Sequence, residues 1–208
     1  YLNVTSYLER LISECNNAVF MTDVMLLWET PLLFEKLFIE YGIKCQRVPA
    51  ESLGTPFLPP CRCLVLPTGF ANPAYTSTLK GVVRNKSKIE KFLKNGGTVL
   101  IFGPMVPEYD YDWLPIELKY IQEQGSGSVQ RMEGNEEICA IDSYTTEVEY
   151  DGYFMGTDAK VILRDSSYRP IMVVKDAGKG RVIACSIHEF PSKDFLQRIV
   201  EISASCKI

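Results

Sequence analysis

Short apolar runs and helix-spaced apolar residues alternate along the first half of the chain. The runs predict buried strands near 18–22, 44–48, 62–67 and 98–103. The spaced residues predict helices over 2–14, from Thr30-Pro31 to Gly42, and over 79–94. Strands joined by helices pair in parallel through right-handed crossovers, and the most continuously apolar strand, 98–103, should lie at the centre of the sheet.

The pattern changes after the strand at 98–103. In order, it predicts a loop of alternating acids and aromatic residues at 105–115, a stretch rich in glycine and serine at 122–135, and short strand-like pieces at 136–150. Three later apolar runs predict an antiparallel meander at 160–164, 170–175 and 181–187, before a closing helix over 192–203. The second half therefore adds antiparallel strands to the parallel sheet.

The composition fits one α/β domain over residues 1–208. The chain is 46% apolar and 23% charged, which is ordinary for a globular protein, and no linker-like stretch divides it. We expect a three-layer α/β sandwich with a mainly parallel central sheet and a C-terminal antiparallel meander.

Net charge and hydropathy narrow the set of partners. The formal net charge of -4 disfavours nucleic acid and anionic membranes, because binding to either needs a basic face. No apolar run approaches the roughly 18 residues of a membrane span. We therefore expect a cytoplasmic protein that binds a small-molecule ligand or a protein partner, and nothing in the pattern excludes a homo-oligomer.

Seven cysteines are scattered along the chain. No two have Cys-x-x-Cys spacing, and a single histidine cannot complete a Cys/His zinc site. Four lie in or beside apolar runs, as buried thiols do: Cys45, Cys63, Cys139 and Cys185. We expect reduced structural thiols, no metal site and no cofactor.

The only histidine, His188, follows the last predicted strand. Imidazole is the side chain best suited to acid–base chemistry near neutral pH, so His188 is the first candidate for a catalytic residue. Strand alternation places Cys185 on the opposite face, which argues against a Cys185–His188 pair. In the competing interpretation His188 is structural and hydrogen-bonds a neighbouring loop.

Short motifs stand at the ends of the predicted strands. They are Pro67-Thr68-Gly69, Asn95-Gly96-Gly97, Gly103-Pro104 and the glycine turn Gly178-Lys179-Gly180, which leads to Ser186-Ile187-His188-Glu189. With the order of the elements over roughly residues 18–200, these motifs resemble the class I glutamine amidotransferase-like superfamily. That resemblance implies a flavodoxin-like α/β fold.

The resemblance carries over to some catalytic positions and not to others. Thr68 and Gly69 match the loop that supplies oxyanion donors in the catalytic members, and His188 matches their histidine. Glu189 follows His188 without the proline of the usual His-Pro-Glu, so its side chain should leave the strand in another direction. The nucleophilic cysteine would stand within Gly103-Pro104-Met105, where the sequence has no Cys, Ser or Thr. We therefore expect no glutaminase activity.

The acid–aromatic loop is a second candidate site, because ligands of open α/β sheets bind beyond the C-terminal ends of the strands. Trp113 can stack on a flat ligand, and Asp110 and Asp112 can accept hydrogen bonds. The ligand-binding candidates are thus Thr68, Gly69, Gly103, Asp110, Asp112 and Trp113. In the competing interpretation the aromatic residues only cover the open end of the sheet.

Two functions remain as alternatives. The first is a non-catalytic amidotransferase-like domain, a pseudoenzyme, that binds a small ligand or a protein partner at the C-terminal end of the sheet. The second is a hydrolase that acts on a sugar or an amide through His188, Glu189 and nearby carboxylates. In either case we expect His188 within a side chain's reach of Thr68-Gly69 or Gly103-Pro104, with the carboxylates of the 108–112 loop close to it.

Overall fold

Two sheets organise the fold in the computed structural model, which describes residues 22–132, 134, 138–188 and 190–208. The described strands are β1 Val24–Leu27, β2 Cys45–Val48, β3 Cys63–Leu66, β4 Thr98–Phe102, β5 Glu108–Asp110, β6 Lys119–Ser128, β7 Gln130–Arg131, β8 Glu147–Met155, β9 Lys160–Arg164, β10 Pro170–Ala177 and β11 Gly180–Cys185. The described α-helices are α1 Leu33–Glu40, α2 Thr78–Arg84, α3 Lys86–Lys94 and α4 Lys193–Ile202.

The larger sheet has eight strands in the order β2-β1-β3-β4-β11-β10-β9-β7. The first five strands run parallel to one another, and the last three continue the sheet in antiparallel pairs. β4 lies between β3 and β11 and is buried at all five positions. The central place predicted for 98–103 and the predicted meander are confirmed.

Alternating side chains of the large sheet divide the core into two apolar clusters, one on each face. One cluster joins Met25, Leu64 and Val99 to residues of α2 and α3, among them Val82 and Phe92. The other joins Val24, Val65 and Leu100 to residues of α1 and α4, among them Phe38 and Leu196. Helices thus cover both faces of a mostly parallel sheet, which is consistent with a flavodoxin-like α/β fold.

The smaller sheet is antiparallel, with the order β5-β6-β8. The structure differs here from the expectation: β6 runs as a paired strand through much of the glycine- and serine-rich stretch, and β8 is one long strand rather than a short piece. A side-chain carbon at Gly125 would lie 2.5 Å from the ring of Tyr150, its partner across the strands. The tyrosine fills the space that glycine leaves, so tertiary packing overrides the low strand propensity of the sequence.

The predicted first strand is wrong at its described end. Thr22 lies outside any strand, and β1 begins at Val24. The Asp23 carboxylate, just before β1, accepts a hydrogen bond from the backbone N–H of Lys44 (3.0 Å), just before β2. Residues 18–21 and the helix predicted over 2–14 lie outside the described residues.

Helix ends differ from the prediction in two places. α1 begins at Leu33 rather than at Pro31, since the Leu32 N–H donates to the Glu35 carboxylate (2.9 Å). The helix predicted over 79–94 divides at Asn85, whose buried side chain donates to the Gly81 carbonyl (2.9 Å) and competes with the helix backbone. The predicted closing helix is confirmed as α4. Among the described residues, no helix has the length and apolar character needed to cross a membrane.

Candidate ligand site beside His188

His188 follows β11 at the C-terminal end of the parallel strands. Its backbone N–H donates to the Glu149 carbonyl of β8 (2.9 Å), and Ile187 bridges to Tyr150 on the same strand. These contacts tie the residue to the small sheet. The imidazole itself is about half exposed, with 47% of its side-chain surface accessible. It can therefore meet a ligand from solvent.

A fully buried carboxylate backs this imidazole. Asp151 of β8 has no exposed side-chain surface, and its Oδ1 forms an ion contact with His188 Nε2. Apart from that contact, neither carboxylate oxygen has a hydrogen-bond partner among the described residues. Burial raises the pKa of Asp151 above its ordinary value, and the adjacent His188 opposes this rise.

A buried phenol and two glycines surround the carboxylate. A side-chain carbon at Gly103 would lie 3.2 Å from Asp151 Oδ2 and 3.7 Å from the Tyr120 hydroxyl. At Gly152 the same atom would lie 2.7 Å from that hydroxyl. Burial, followed by the charge of Asp151, raises the pKa of Tyr120, whose hydroxyl has no hydrogen-bond partner among the described residues. The acid and the phenol thus lie together at the end of β4.

The turn after β4 does not lead into a helix. Met105 has a φ of +56°, a left-handed backbone that is uncommon outside glycine, and its carbonyl accepts a hydrogen bond from Asn72 Nδ2 (3.0 Å). The chain then enters β5. A nucleophile elbow needs a strand, a sharp turn and a helix in that order. Only the strand and the strained turn are present here.

The Thr68-Gly69 loop lies against the same turn. The Gly69 N–H donates to the Gly103 carbonyl (2.7 Å), and the Phe70 N–H donates to the Pro67 carbonyl (3.2 Å). Both amides are therefore used within the fold and cannot also stabilise an oxyanion. Thr68 lines a pocket together with His188, as expected from the sequence.

That pocket has a volume of about 220 Å³ and mostly apolar walls. Its lining includes Phe34, Phe102, Ile187, Phe190, Thr68 and His188. The ring of Phe34 lies 5.4 Å from that of Phe102 and 5.7 Å from that of Phe190, between ring centres. His188 is the one ionisable side chain in the described lining, so it supplies the specific polar contact of an otherwise apolar pocket.

The acid–aromatic loop is arranged differently from the expectation. Trp113 is buried, and its indole N–H donates to the Tyr109 hydroxyl (2.9 Å). Asp110 ends β5 and Asp112 follows it, and both are exposed. The expectation that loop carboxylates approach His188 is wrong, because the carboxylate in contact is Asp151 from β8. Glu189 lies outside the described residues.

The sequence pattern did not predict Asp151 and Tyr120 as site residues. Asp151-Gly152 is a dipeptide typical of hairpin turns, and the predicted strand pieces end just before it. The available signal was the flanking pattern, since Val148, Tyr150 and Phe154 alternate on both sides of the acid. A carboxylate inside such a strand is either buried itself or exposed together with the apolar residues beside it.

Burial disfavours the thiolate form at two of the described cysteines. No disulfide joins them, and burial raises the pKa of Cys45 and of Cys63 to about 12. No group of three or more histidine, cysteine or acidic side chains within metal-binding distance occurs in the described part of the chain.

Comparison with known proteins bears on the fold. No protein-family model matches the chain, and no curated protein matches its sequence. A solved glutamine amidotransferase from Thermotoga maritima is 16% identical, with a TM-score of 0.55 over 86% of this chain and 81% of that one. A cytoplasmic protein from Salmonella typhimurium is 11% identical, with a TM-score of 0.53 over 88% of this chain and 100% of that one.

A larger enzyme contains the same arrangement as one part. The GH42 β-galactosidase Gan42B from G. stearothermophilus is 12% identical, with a TM-score of 0.54 over 86% of this chain and 29% of that one. This chain therefore spans less than a third of the β-galactosidase. At such identities the likeness shows the fold alone, and that fold is similar to the fold of the solved glutamine amidotransferase.

Proposed function

We propose that this domain binds a small ligand in the pocket beside His188 and does not hydrolyse glutamine. The observation that carries the proposal is the pairing of a half-exposed imidazole with a fully buried carboxylate at the wall of an apolar pocket. An apolar pocket with a few convergent polar groups is the usual form of a small-molecule site.

The cost of burying Asp151 supports a functional interpretation. Removing a carboxylate from water costs several kcal/mol, and one ion contact to a half-exposed imidazole offsets only part of that. An apolar residue of similar size would cost less. Groups held in such unfavourable environments concentrate at functional sites.

The region after β4 argues against amide hydrolysis. Gly103, Pro104 and Met105 offer no side chain that can attack a carbonyl, and Pro104 has no N–H to donate. The Gly69 amide is committed to the Gly103 carbonyl. This chemistry needs both a nucleophile and oxyanion donors, and neither residues 103–105 nor the Gly69 amide can supply them.

A fragment screen with matched variants tests the binding proposal. Leu33 and Ile39 are both exposed apolar residues of α1, at 61% and 72%, but only Leu33 lines the pocket. We expect single-ring fragments to shift the amide NMR signals around His188 in the unchanged protein and in Ile39→Trp, but not in Leu33→Trp, where the indole fills the pocket. The proposal would be contradicted if fragments bind all three proteins equally, or if no fragment binds the unchanged protein.

An assay for ammonia release from glutamine tests the second part. We expect no turnover above the protein-free rate. Turnover that disappears when one of the seven cysteines is replaced by alanine would show that a nucleophile acts elsewhere in the chain.

A hydrolase that uses water directly is the second candidate. The Asp151–His188 contact favours it, because a carboxylate that orients an imidazole allows it to act as a general base toward water. Hydrolysis of a model glycoside or amide that is lost in His188→Ala and kept in Ile39→Trp would establish this candidate. If no model glycoside or amide is hydrolysed, the non-catalytic binding function is the one supported.

A further inference from the structure

The two nitrogens of the His188 imidazole have different surroundings. Nε2 contacts the buried Asp151 carboxylate, so it faces the protein interior. Asp151 has no exposed side-chain surface, and a ligand in the pocket cannot reach it. The atom that remains for a ligand is therefore Nδ1.

The carboxylate also determines what Nδ1 can do. An ionised carboxylate only accepts hydrogen bonds, so a neutral imidazole beside it keeps its proton on Nε2. Nδ1 then carries a lone pair and no proton. A ligand group that meets it has to donate a hydrogen bond.

The walls of the pocket determine the size and the chemical character of the rest of the ligand. The ring of Phe34 lies edge-on to that of Phe102 and tilted to that of Phe190, with both ring centres within 6 Å of its own, and such arrangements suit a further ring. The volume of about 220 Å³ leaves room for one ring rather than for several. A carboxylate ligand is disfavoured, because it would bring a second acceptor to an unprotonated Nδ1 and a second negative charge close to Asp151.

We propose that the pocket binds a neutral single-ring molecule with one hydroxyl group, which donates its hydrogen bond to His188 Nδ1. This inference rests on the proposed ligand-binding function and names its ligand class. The ring packs among the phenylalanines, and the Asp151–His188 pair selects the hydroxyl.

Three ligands of similar size test the selection at pH 8: phenol, toluene and anisole. We expect phenol to bind about fivefold more tightly than toluene or anisole, as measured by NMR titration, because one net hydrogen bond is worth about 1 kcal/mol. In His188→Phe the preference should fall below about twofold while toluene still binds. The remote variant Tyr168→Phe should retain the preference for phenol.

The outcomes separate the two proposals. If none of the three ligands binds the unchanged protein, the proposed function fails. If toluene binds as tightly as phenol, the pocket is a ligand site and only the hydroxyl selection is overturned.

A measurement without any variant gives an independent check. Because the chain has one histidine, labelling histidine with ¹⁵N gives one pair of imidazole signals. We expect the proton on Nε2 in the free protein and a shift of the Nδ1 signal when phenol is added. A proton on Nδ1 at pH 8 would overturn the inference.

Discussion

Two aromatic regions of this molecule combine rings with acids in opposite ways. Around Trp113 the rings are packed inside and the acids Asp110 and Asp112 face water. Around His188 the acid, Asp151, is fully buried and the imidazole is half exposed. The first arrangement costs little and stabilises the fold. The second is costly, and the difference teaches that an unfavourably placed charge is better evidence of a site than the mere presence of acids and aromatic residues.

The largest expected effect comes from the packed region. Trp113→Ala should lower the free energy of unfolding by about 3–5 kcal/mol, because it leaves a cavity beside Phe70 and Tyr109. His188→Ala, made and compared in an Asp151→Asn protein so that no buried carboxylate is left unpaired, should change it far less, since half of that side chain is already in water. Urea unfolding of both variants measures the contrast. Equal losses would mean that His188 is a core residue and would remove the distinction between the regions.

A smaller effect of opposite sign is expected at the buried acid. Asp151→Asn should raise the free energy of unfolding at pH 7 by on the order of 1 kcal/mol, because it removes a buried charge whose one described contact is a half-exposed imidazole. The imidazole left behind is half exposed, so water can solvate it. Urea unfolding at pH 7 measures the change, and a loss of stability would show that the ion contact outweighs the burial of the charge.

The pH dependence of that difference sharpens the comparison. Burial raises the pKa of Asp151 in the folded state, so the folded protein holds this proton at pH values where the unfolded chain has released it. Asp151 therefore lowers stability progressively as the pH rises from about 4, the ordinary value for an aspartate. Asp151→Asn lacks this decline. The stability gap between the two proteins should be small at pH 3.5 and grow toward pH 7, and a gap that shrinks instead would mean a lowered pKa.

The sequence predicted the layered part of the fold and only one half of the site. β3, β4 and the meander followed from continuous apolar runs, because a strand covered on both faces has little choice of composition. His188 followed from its uniqueness and its place after β11. Asp151 did not, since its contact with His188 depends on how β8 packs at the end of the large sheet. No local pattern records a contact between residues 37 positions apart.

The role of the aromatic loop likewise could not be predicted from its own sequence. Its alternation of acids and rings fits a ligand-binding loop and a covering strand equally well. The choice is made by contacts that the loop sequence does not contain, such as the packing of Phe70 against Tyr109 and Trp113. The residue types along the chain predicted two candidate sites, and the burial of their side chains in the structure distinguishes between them.

The most direct test of the account follows both regions in one NMR experiment. His188 is the single imidazole, and the indole N–H of Trp113 reports on the packed region. When a single-ring fragment such as phenol is titrated into the protein, we predict that the His188 imidazole signals shift in a saturable way and the Trp113 indole signal does not. A saturable shift at Trp113 with an unchanged His188 would contradict the central claim that the Asp151–His188 pair marks the ligand site.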